Sequence, residues 1–360
     1  MTIPYFLLQP GDRLPDFELP EQGGELRKFY WAFRGEPVAL LAVDSVPALL
    51  RSDYSGIVET CRRAGVALVL LIGAGTDAVT RDWSSLPQPM EGKPLFTLCD
   101  GVRNIAQALL APAMQGGPAV QSRLLLLDAN QRLLLAVAEP GVVGLAQTID
   151  AGLARAEADE PEPALVQGSS PPVLILPRVF EPELCRSLIA LWQHGGHSEL
   201  GVSSRYGNVS MGQGKRTDDH LVSDENAIRA ISDRLAYRIG PELLRGFGYD
   251  QPFGFDAHVI LSYSAQDNHY FRAHRDNGAP QTADRAFAVS LNLNEDYEGG
   301  ELVFPEYGKM RFKPPMGGAA VFSCTLLHEA LPVTSGRRYV LTSFFRPKPQ
   351  QTDSGYRTMA

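Results

Sequence analysis

Two kinds of apolar pattern divide the chain. In its first part, short unbroken apolar runs at Val38 to Val43, Val66 to Ile72 and Leu124 to Leu127 alternate with segments of helical pattern at Ala48 to Arg63, Arg103 to Leu110 and Gly144 to Ala156. Runs this short read as buried strands, and strands alternating with helices predict an α/β layer structure. The order then changes. Two helices are predicted at Pro182 to Gln193 and Asn226 to Gly246, the second placing Ile228, Ile231, Leu235, Ile239 and Leu243 at helical spacing. Strands follow at Ala257 to Ser264, Glu301 to Phe304, Ala319 to Cys324 and Arg338 to Arg346, with Gly299-Gly300 and Pro314-Pro315 marking turns. Between them Phe287, Val289, Leu291 and Leu293 alternate with Ala288, Ser290, Asn292 and Asn294, the period of a strand with one apolar and one polar face. A polar inner face suits a barrel that holds a hydrophilic ligand.

From Ala156 to Pro172 the chain is rich in acid, proline and small residues and has no apolar periodicity, which predicts a domain boundary. The expected organisation is a first domain over 1–156, a linker over 157–171, a second domain over 172–348 and a polar, mobile tail over 349–360. A length of 360 residues agrees, since one domain commonly takes about 100 to 200. Composition adds little: 44% apolar and 21% charged residues suit two buried cores. The net charge of -8 argues against a nucleic-acid partner and against an anionic membrane surface. No apolar stretch approaches the roughly 20 residues that span a bilayer. Met1-Thr2-Ile3-Pro4-Tyr5 shows no basic segment leading into an apolar run, so a cytoplasmic location is expected. Cys61, Cys99, Cys185 and Cys324 stand singly, as reduced core thiols do.

The candidate chemistry lies in the second domain. His274 and Asp276 are two apart in Phe271-Arg272-Ala273-His274-Arg275-Asp276-Asn277, so on an extended segment both side chains project to one side. Joined by an imidazole from a distant strand, they would make the facial triad that holds non-haem Fe(II) and leaves coordination positions open. His328 is the candidate third ligand. His-x-Asp alone is a weak signal, and its support is downstream: ten residues after His328, on what should be the same hairpin, Arg338 opens a strand. A buried arginine there suits a bidentate pair with a carboxylate. Arg337 is the neighbouring alternative, and strand alternation turns only one of the two inward.

These residues give a specific resemblance. The segment from Tyr263 to Arg346 resembles the prolyl 4-hydroxylase type of Fe(II)- and 2-oxoglutarate-dependent dioxygenase, in which His-x-Asp, a second histidine and a basic residue recur in this order. Tyr297-Glu298-Gly299-Gly300-Glu301-Leu302-Val303-Phe304-Pro305 is similar to the family's Gly-Gly-Glu-x-x-Phe-Pro turn, Gly317 matches the turn before the distal histidine, and Phe180-Glu181-Pro182-Glu183-Leu184-Cys185 resembles the helical entry. The resemblance implies an α+β domain built on a double-stranded β-helix, or jelly roll, with supporting helices. It implies Fe(II) on His274, Asp276 and His328, 2-oxoglutarate held by Arg338, ascorbate as a reductant, and hydroxylation of an unidentified substrate, peptide or small molecule, with formation of succinate. Tyr263 reads either as a hydrogen-bond donor to the same carboxylate or as an ordinary strand aromatic. With a carboxylate at position 276, a halogenating variant is disfavoured. The glycine- and serine-rich stretch from Leu200 to Gly214, ending at Lys215-Arg216, reads as a substrate lid or as a plain surface loop.

The first domain resembles peroxiredoxins and other thioredoxin-like proteins at Gly11-Asp12-Arg13-Leu14-Pro15-Asp16-Phe17-Glu18-Leu19, Leu70 to Ala74, Pro94 to Asp100 and Leu124 to Asn130. It departs where a reactive cysteine should follow the first core strand, since the chain reads Asp44-Ser45-Val46-Pro47-Ala48. Cys61, near a predicted helix C-terminus, and Cys99, before an aspartate, are poorly placed to form thiolates. Docking of a protein partner or homodimerisation is therefore expected of this domain. The competing readings are a binding and assembly protein with an accessory barrel, and a thiol peroxidase using Cys61 or Cys99.

Overall fold

The computed structural model describes residues 8–21, 24–33, 35–51, 54–76, 79, 96–101, 104–111, 120–158, 169–196, 202–204, 207–209 and 215–348. Two compact units divide the chain, Met1–Pro163 and Ala164–Ala360. The expected polar tail and most of the expected linker lie outside the described residues.

In the first unit β1 (Glu18–Pro20) and β2 (Leu26–Lys28) form an antiparallel ribbon. The main sheet contains β3 (Val38–Val43), β4 (Ala67–Ile72), β5 (Phe96–Cys99), β6 (Ser122–Leu127) and β7 (Leu133–Ala138) in the order β5-β4-β3-β6-β7. The β3, β4 and β5 strands run parallel to one another, while β6 and β7 join antiparallel. Central β3 is buried along its whole length because both sheet faces are covered. Ala39, Leu41 and Val43 enter one core with Ile57 and Ile149, and Val38, Leu40 and Ala42 enter another with Phe29 and Leu109. A strand buried on both faces needs an unbroken apolar run, which is the pattern its sequence shows. The helices are α1 (Phe29–Phe33), α2 (Val46–Arg51), α3 (Tyr54–Arg63), α4 (Asn104–Leu110) and α5 (Leu145–Ala158). The helix expected from Ala48 to Arg63 is described as two pieces, and α5 runs two residues beyond the expected boundary at Ala156.

The second unit contains β8 (Val173–Leu176), α6 (Pro182–His194), the ribbon of β9 (Val202–Ser204) and β10 (Gly207–Val209), β11 (Lys215–Arg216), β12 (Asp218–Leu221), α7 (Glu225–Arg238) and α8 (Gly240–Phe247). It continues through β13 (Phe253–Phe255), β14 (Val259–Ser264), β15 (Tyr270–His274), β16 (Phe287–Asn292), β17 (Tyr297–Gly299) and β18 (Leu302–Val303). It closes with β19 (Arg311–Phe312), β20 (Ala319–Ser323), β21 (His328–Ala330) and β22 (Val333–Pro347). The larger sheet has the order β12-β14-β22-β16-β20-β8, with β13 and β17 also on β22; the smaller has the order β11-β15-β21-β18-β19. Antiparallel sheets that share a cavity make this the expected jelly roll. Apart from the ribbon, the stretch expected as a lid, Leu200 to Gly214, lies outside the described residues.

The single helix expected from Asn226 to Gly246 is broken at Ile239, because Pro241 lacks the N–H that a continuing helix needs. Asp224 caps α7 by accepting the Ala227 N–H at 2.8 Å. Leu188, Ile231, Leu235 and Leu243 from the helices pack on Phe287, Val289, Leu291 and Leu293. Burying each such side chain contributes about 1.5–3 kcal/mol. The other side of β16 contributes Ala288 to the core that also holds Tyr263, Phe304, Phe322 and Val340.

Two features of this scaffold have measurable consequences. Gly317 has φ +77° and an added Cβ would stand 2.3 Å from the Phe180 carbonyl oxygen. Its own carbonyl accepts the N–H groups of Val179 and Phe180, each at 2.8 Å. Gly317→Ala is expected to lower unfolding free energy by at least about 2 kcal/mol in urea titration, through left-handed strain and this clash; a negligible change would mean the turn relaxes freely. His258, one residue before β14, is held between Ser232 and Ser343 at 2.9 Å each. Burial pushes its imidazole down to about 4, against a smaller upward pull from Asp256. A folded value below the ordinary 6.5 means this contribution is complete above pH 6.5 and is lost as pH falls toward 4, amounting to about 3 kcal/mol. His258→Gln is expected to remove that component from a series of unfolding curves between pH 7 and pH 4.

Candidate metal centre

His274 ends β15, His328 begins β21, and the two are direct partners in the antiparallel register. Asp276 lies just past β15, where its N–H donates to the Cys324 carbonyl at 3.1 Å. The Nε2 atoms of His274 and His328 each stand 3.4 Å from a different oxygen of the Asp276 carboxylate. One candidate ligand atom from each of the three residues lies within 4.8 Å of the others. Ligands about 2.0–2.2 Å from a shared ion and at right angles are about 3 Å apart, so a first-row divalent metal fits with small adjustment.

Hydrogen bonding fixes which nitrogens face inward. Nδ1 of His274 is 2.8 Å from the Arg272 carbonyl oxygen and Nδ1 of His328 is 3.0 Å from that of Leu326. A carbonyl only accepts, so each Nδ1 carries the hydrogen and each Nε2 presents its lone pair to the centre. The rings are also packed: Phe271 stacks on His274 with centroids 3.7 Å apart, and Phe322 lies 4.6 Å from His328. Burial lowers the pKa of His328, partly opposed by Asp276. For Asp276 burial pushes the carboxyl up, but His328, His274 and Arg285 together outweigh it and hold the group below its ordinary value. A neutral imidazole beside a charged carboxylate is the state that ligates a cation.

The other end of the cavity, which has a volume of about 70 Å³, is basic. Arg338 is 2% exposed and faces inward. Asn292 Oδ1 accepts from its Nε at 3.0 Å and from its Nη2 at 2.9 Å, and Ser290 Oγ from Nη2 at 3.3 Å. No carboxylate pairs with this guanidinium among the described residues. Arg337 turns outward to Asp218 at 3.4 Å, Asp267 at 3.2 Å and Ser262 at 2.7 Å. Asp218 and Asp267 also converge with His269, but Arg337 already meets their charge. Tyr263 is the partner of Arg338 in the β14–β22 register, with the guanidinium carbon 5.5 Å from its ring centre. Burial pushes the Tyr263 phenol up, only partly countered by Arg338.

One expectation needs correction. His328 and Arg338 do not share a hairpin, because β21 bonds to β15 and β18 while β22 belongs to the larger sheet. The chain crosses between sheets at Leu331-Pro332, and the two residues reach one cavity from different sheets. Ser290 and Asn292 orient Arg338, a role the polar face of their strand hinted at without specifying. Arg285 and Glu306 gave no sequence signal. Arg285 pairs with Asp256 at 2.7 Å, stacks 3.7 Å from the Phe344 ring and donates to the Asp276 carbonyl at 3.4 Å. Glu306 pairs with Arg275 at 2.7 Å and accepts the Leu327 N–H at 3.4 Å, which ties together the segments carrying Asp276 and His328.

The model of the 2OG-Fe(II) oxygenase superfamily matches residues 259–346, which contain every residue of the constellation above. Those residues form a 2OG-Fe(II) oxygenase domain. Curated relatives of the chain include human procollagen-lysine,2-oxoglutarate 5-dioxygenase 2, 27% identical over 195 residues, and a PKHD-type hydroxylase of Polaromonas sp., 38% identical over 94 residues. The matched stretches are 51% and 24% of this chain and span 25% and 40% of those proteins. Among solved structures, a prolyl hydroxylase from Trichoplax adhaerens in complex with a hypoxia inducible factor oxygen degradation domain peptide fragment is 21% identical at a TM-score of 0.41, covering 49% of this chain and 84% of that one. The matched residues lie within the second unit.

In the first unit the thiols are poorly suited to chemistry. Cys61 is 1% exposed and burial pushes it up to about 12; burial likewise raises Cys99 to about 11. The expected effect of the neighbouring aspartate on Cys99 gives way to desolvation, for Asp100 turns its carboxylate to the N–H groups of Ile105 and Ala106, each at 2.8 Å. Among the described residues no helix is long and apolar enough to cross a membrane.

Proposed function

We propose that the protein is an Fe(II)- and 2-oxoglutarate-dependent hydroxylase in which His274, Asp276 and His328 hold the metal and Arg338 holds the distal carboxylate of the cosubstrate. The observation that carries this reading is one cavity with three convergent ligand atoms and a buried guanidinium that has no acidic partner among the described residues. A 2-oxo diacid matches both features, its keto-acid end suiting a metal with open positions and its far carboxylate suiting the guanidinium. Iron, when bound, supplies the activation of dioxygen that couples decarboxylation of 2-oxoglutarate to succinate with hydroxylation of substrate. The chain's own part is placement. Asn292 and Ser290 aim the guanidinium, backbone carbonyls fix both imidazoles, and Leu302, Phe322 and Phe344 make the walls apolar. Tyr263, beside Arg338, is positioned to donate to the same carboxylate.

The substrate class is a peptidyl or free amino acid, or a small metabolite, and the procollagen-lysine name of one relative puts peptidyl side chains first for screening. The first domain, over 1–156, is proposed as a thioredoxin-like module for docking or homodimerisation, joined through 157–171 to the oxygenase domain over 172–348. Its parallel β3-β4-β5 core, extended antiparallel by β6 and β7, supports that fold, and its buried thiols do not favour a peroxidase. Four unpaired buried thiols suit a reducing, cytoplasmic setting. The deciding experiment adds Fe(II), 2-oxoglutarate and ascorbate to the full chain without oxygen, then admits oxygen and measures succinate. Iron-dependent succinate is the expected result; none above the iron-free control, across a panel of peptides and amino acids, would overturn the reading.

A further inference from the structure

We infer that Glu306 is a positioning residue for the metal centre, its carboxylate fixing the imidazole of His328 through the peptide unit between Leu326 and Leu327. This rests on the reading of the metal centre given above. A peptide unit is planar, with its carbonyl and its N–H pointing opposite ways. In this one the carbonyl of Leu326 accepts the Nδ1 hydrogen of His328 at 3.0 Å, and the N–H of Leu327 donates to Glu306 Oε2 at 3.4 Å. The carboxylate thus holds one end of the plane whose other end holds the ring. A negative charge at the N–H also polarises the unit and makes its oxygen a stronger acceptor, as a carboxylate does when it bonds a metal-ligating histidine directly.

The carboxylate is itself held from two sides. Glu306 stands in the short turn Pro305–Tyr307, directly after β18 and Phe304, and β18 pairs with the strand that His328 begins. Phe304 anchors that turn: it is buried, its ring centre lies 5.0 Å from that of Phe322, and its carbonyl accepts the Tyr307 N–H at 2.8 Å. From the other side Arg275 grips Glu306, with Nη2 on Oε1 at 2.7 Å and Nη1 on Oε2 at 3.1 Å, and its Nη1 also donates to the Thr325 carbonyl. The bond to Arg275 holds the Glu306 carboxyl below its ordinary value, so the acceptor is charged at neutral pH. An ion pair this exposed contributes little to stability by itself. Its effect is on orientation. His274 lies outside the relay, because its Nδ1 bonds the Arg272 carbonyl.

The test compares wild type, Glu306→Ala and Glu306→Gln as full chains. Heteronuclear NMR spectra of the histidine side chains, taken without metal at mildly alkaline pH, report which ring nitrogen carries the hydrogen. Titration calorimetry on the same proteins measures Mn(II) binding. Wild type is expected to show the Nδ1–H form at both His274 and His328. In Glu306→Ala, His328 alone should become a mixture of tautomers, and Mn(II) should bind about tenfold more weakly. Glu306→Gln keeps an acceptor oxygen for the Leu327 N–H, so it should retain the Nδ1–H form and bind Mn(II) within about threefold of wild type. An unchanged His328 tautomer or an unchanged Mn(II) affinity in Glu306→Ala overturns the assignment. So does equal disturbance of both histidines, or a Glu306→Gln variant as weak as Glu306→Ala, since either would make the ion pair with Arg275 the cause in place of the peptide unit. A wild-type protein that binds no Mn(II) overturns the metal centre on which the assignment rests.

Discussion

Asp276→Ala is expected to form no succinate above background and to bind Mn(II) more than about a hundredfold more weakly than wild type, a loss at least as large as those seen when groups behind a metal ligand are removed. The carboxylate is the element both imidazoles share, with one Nε2 at 3.4 Å from each oxygen. Without it two lone pairs remain, and the negative charge that draws in the cation is gone. The fold should survive, because the segment is also held by the Asp276 N–H on Cys324 and by Glu306, which links Arg275 to the Leu327 backbone. Calorimetry with Mn(II) and a melting curve on the same sample separate the two effects. Undiminished metal binding by a folded Asp276→Ala would place the metal elsewhere.

Arg338→Met should raise the 2-oxoglutarate concentration needed for half-maximal succinate formation by about a hundredfold, since two charge-assisted hydrogen bonds are lost at about 1.5–3 kcal/mol each. Its neighbour provides the control. Arg337 faces Asp218 and Asp267 on the outside, so Arg337→Met should leave that concentration unchanged. The opposite ranking of the two variants would mean that the outward arginine is the anchor. Methionine keeps the bulk of the stem and removes a buried charge that lacks an acidic partner, so loss of stability would not explain the result.

Which residues meet at the centre was legible because ligand chemistry imposes spacing: His274 and Asp276 had to share a side of an extended segment, and Arg338 had to be the inward member of an adjacent pair. The strand from Phe287 to Asn292 was legible for a similar reason, its period of two reporting an apolar outer layer and a polar inner one. How the strands connect was less so. That β21 and β22 belong to different sheets follows from hydrogen bonds between residues far apart in sequence, which local pattern does not encode. The break before α8 was written in Pro241 but masked by the apolar spacing that continues through it. Arg285 and Glu306 stayed hidden because an arginine or a glutamate is ordinary at the start of a strand or in a turn. Their significance comes from neighbours that only the fold supplies.

The long final strand sets a timetable for the chain as it is made. The first unit has all its described sheet strands once Ala138 has emerged and its last described helix by Ala158, so it can fold early during synthesis. The larger sheet of the second unit cannot, because β14 and β16 flank β22 and have no direct pairing with each other until residues 333–347 arrive. Until then two apolar strand edges wait unpaired on the ribosome. The nascent oxygenase domain is consequently at its most aggregation-prone just before its last strand emerges, and slow translation of that segment prolongs the risk.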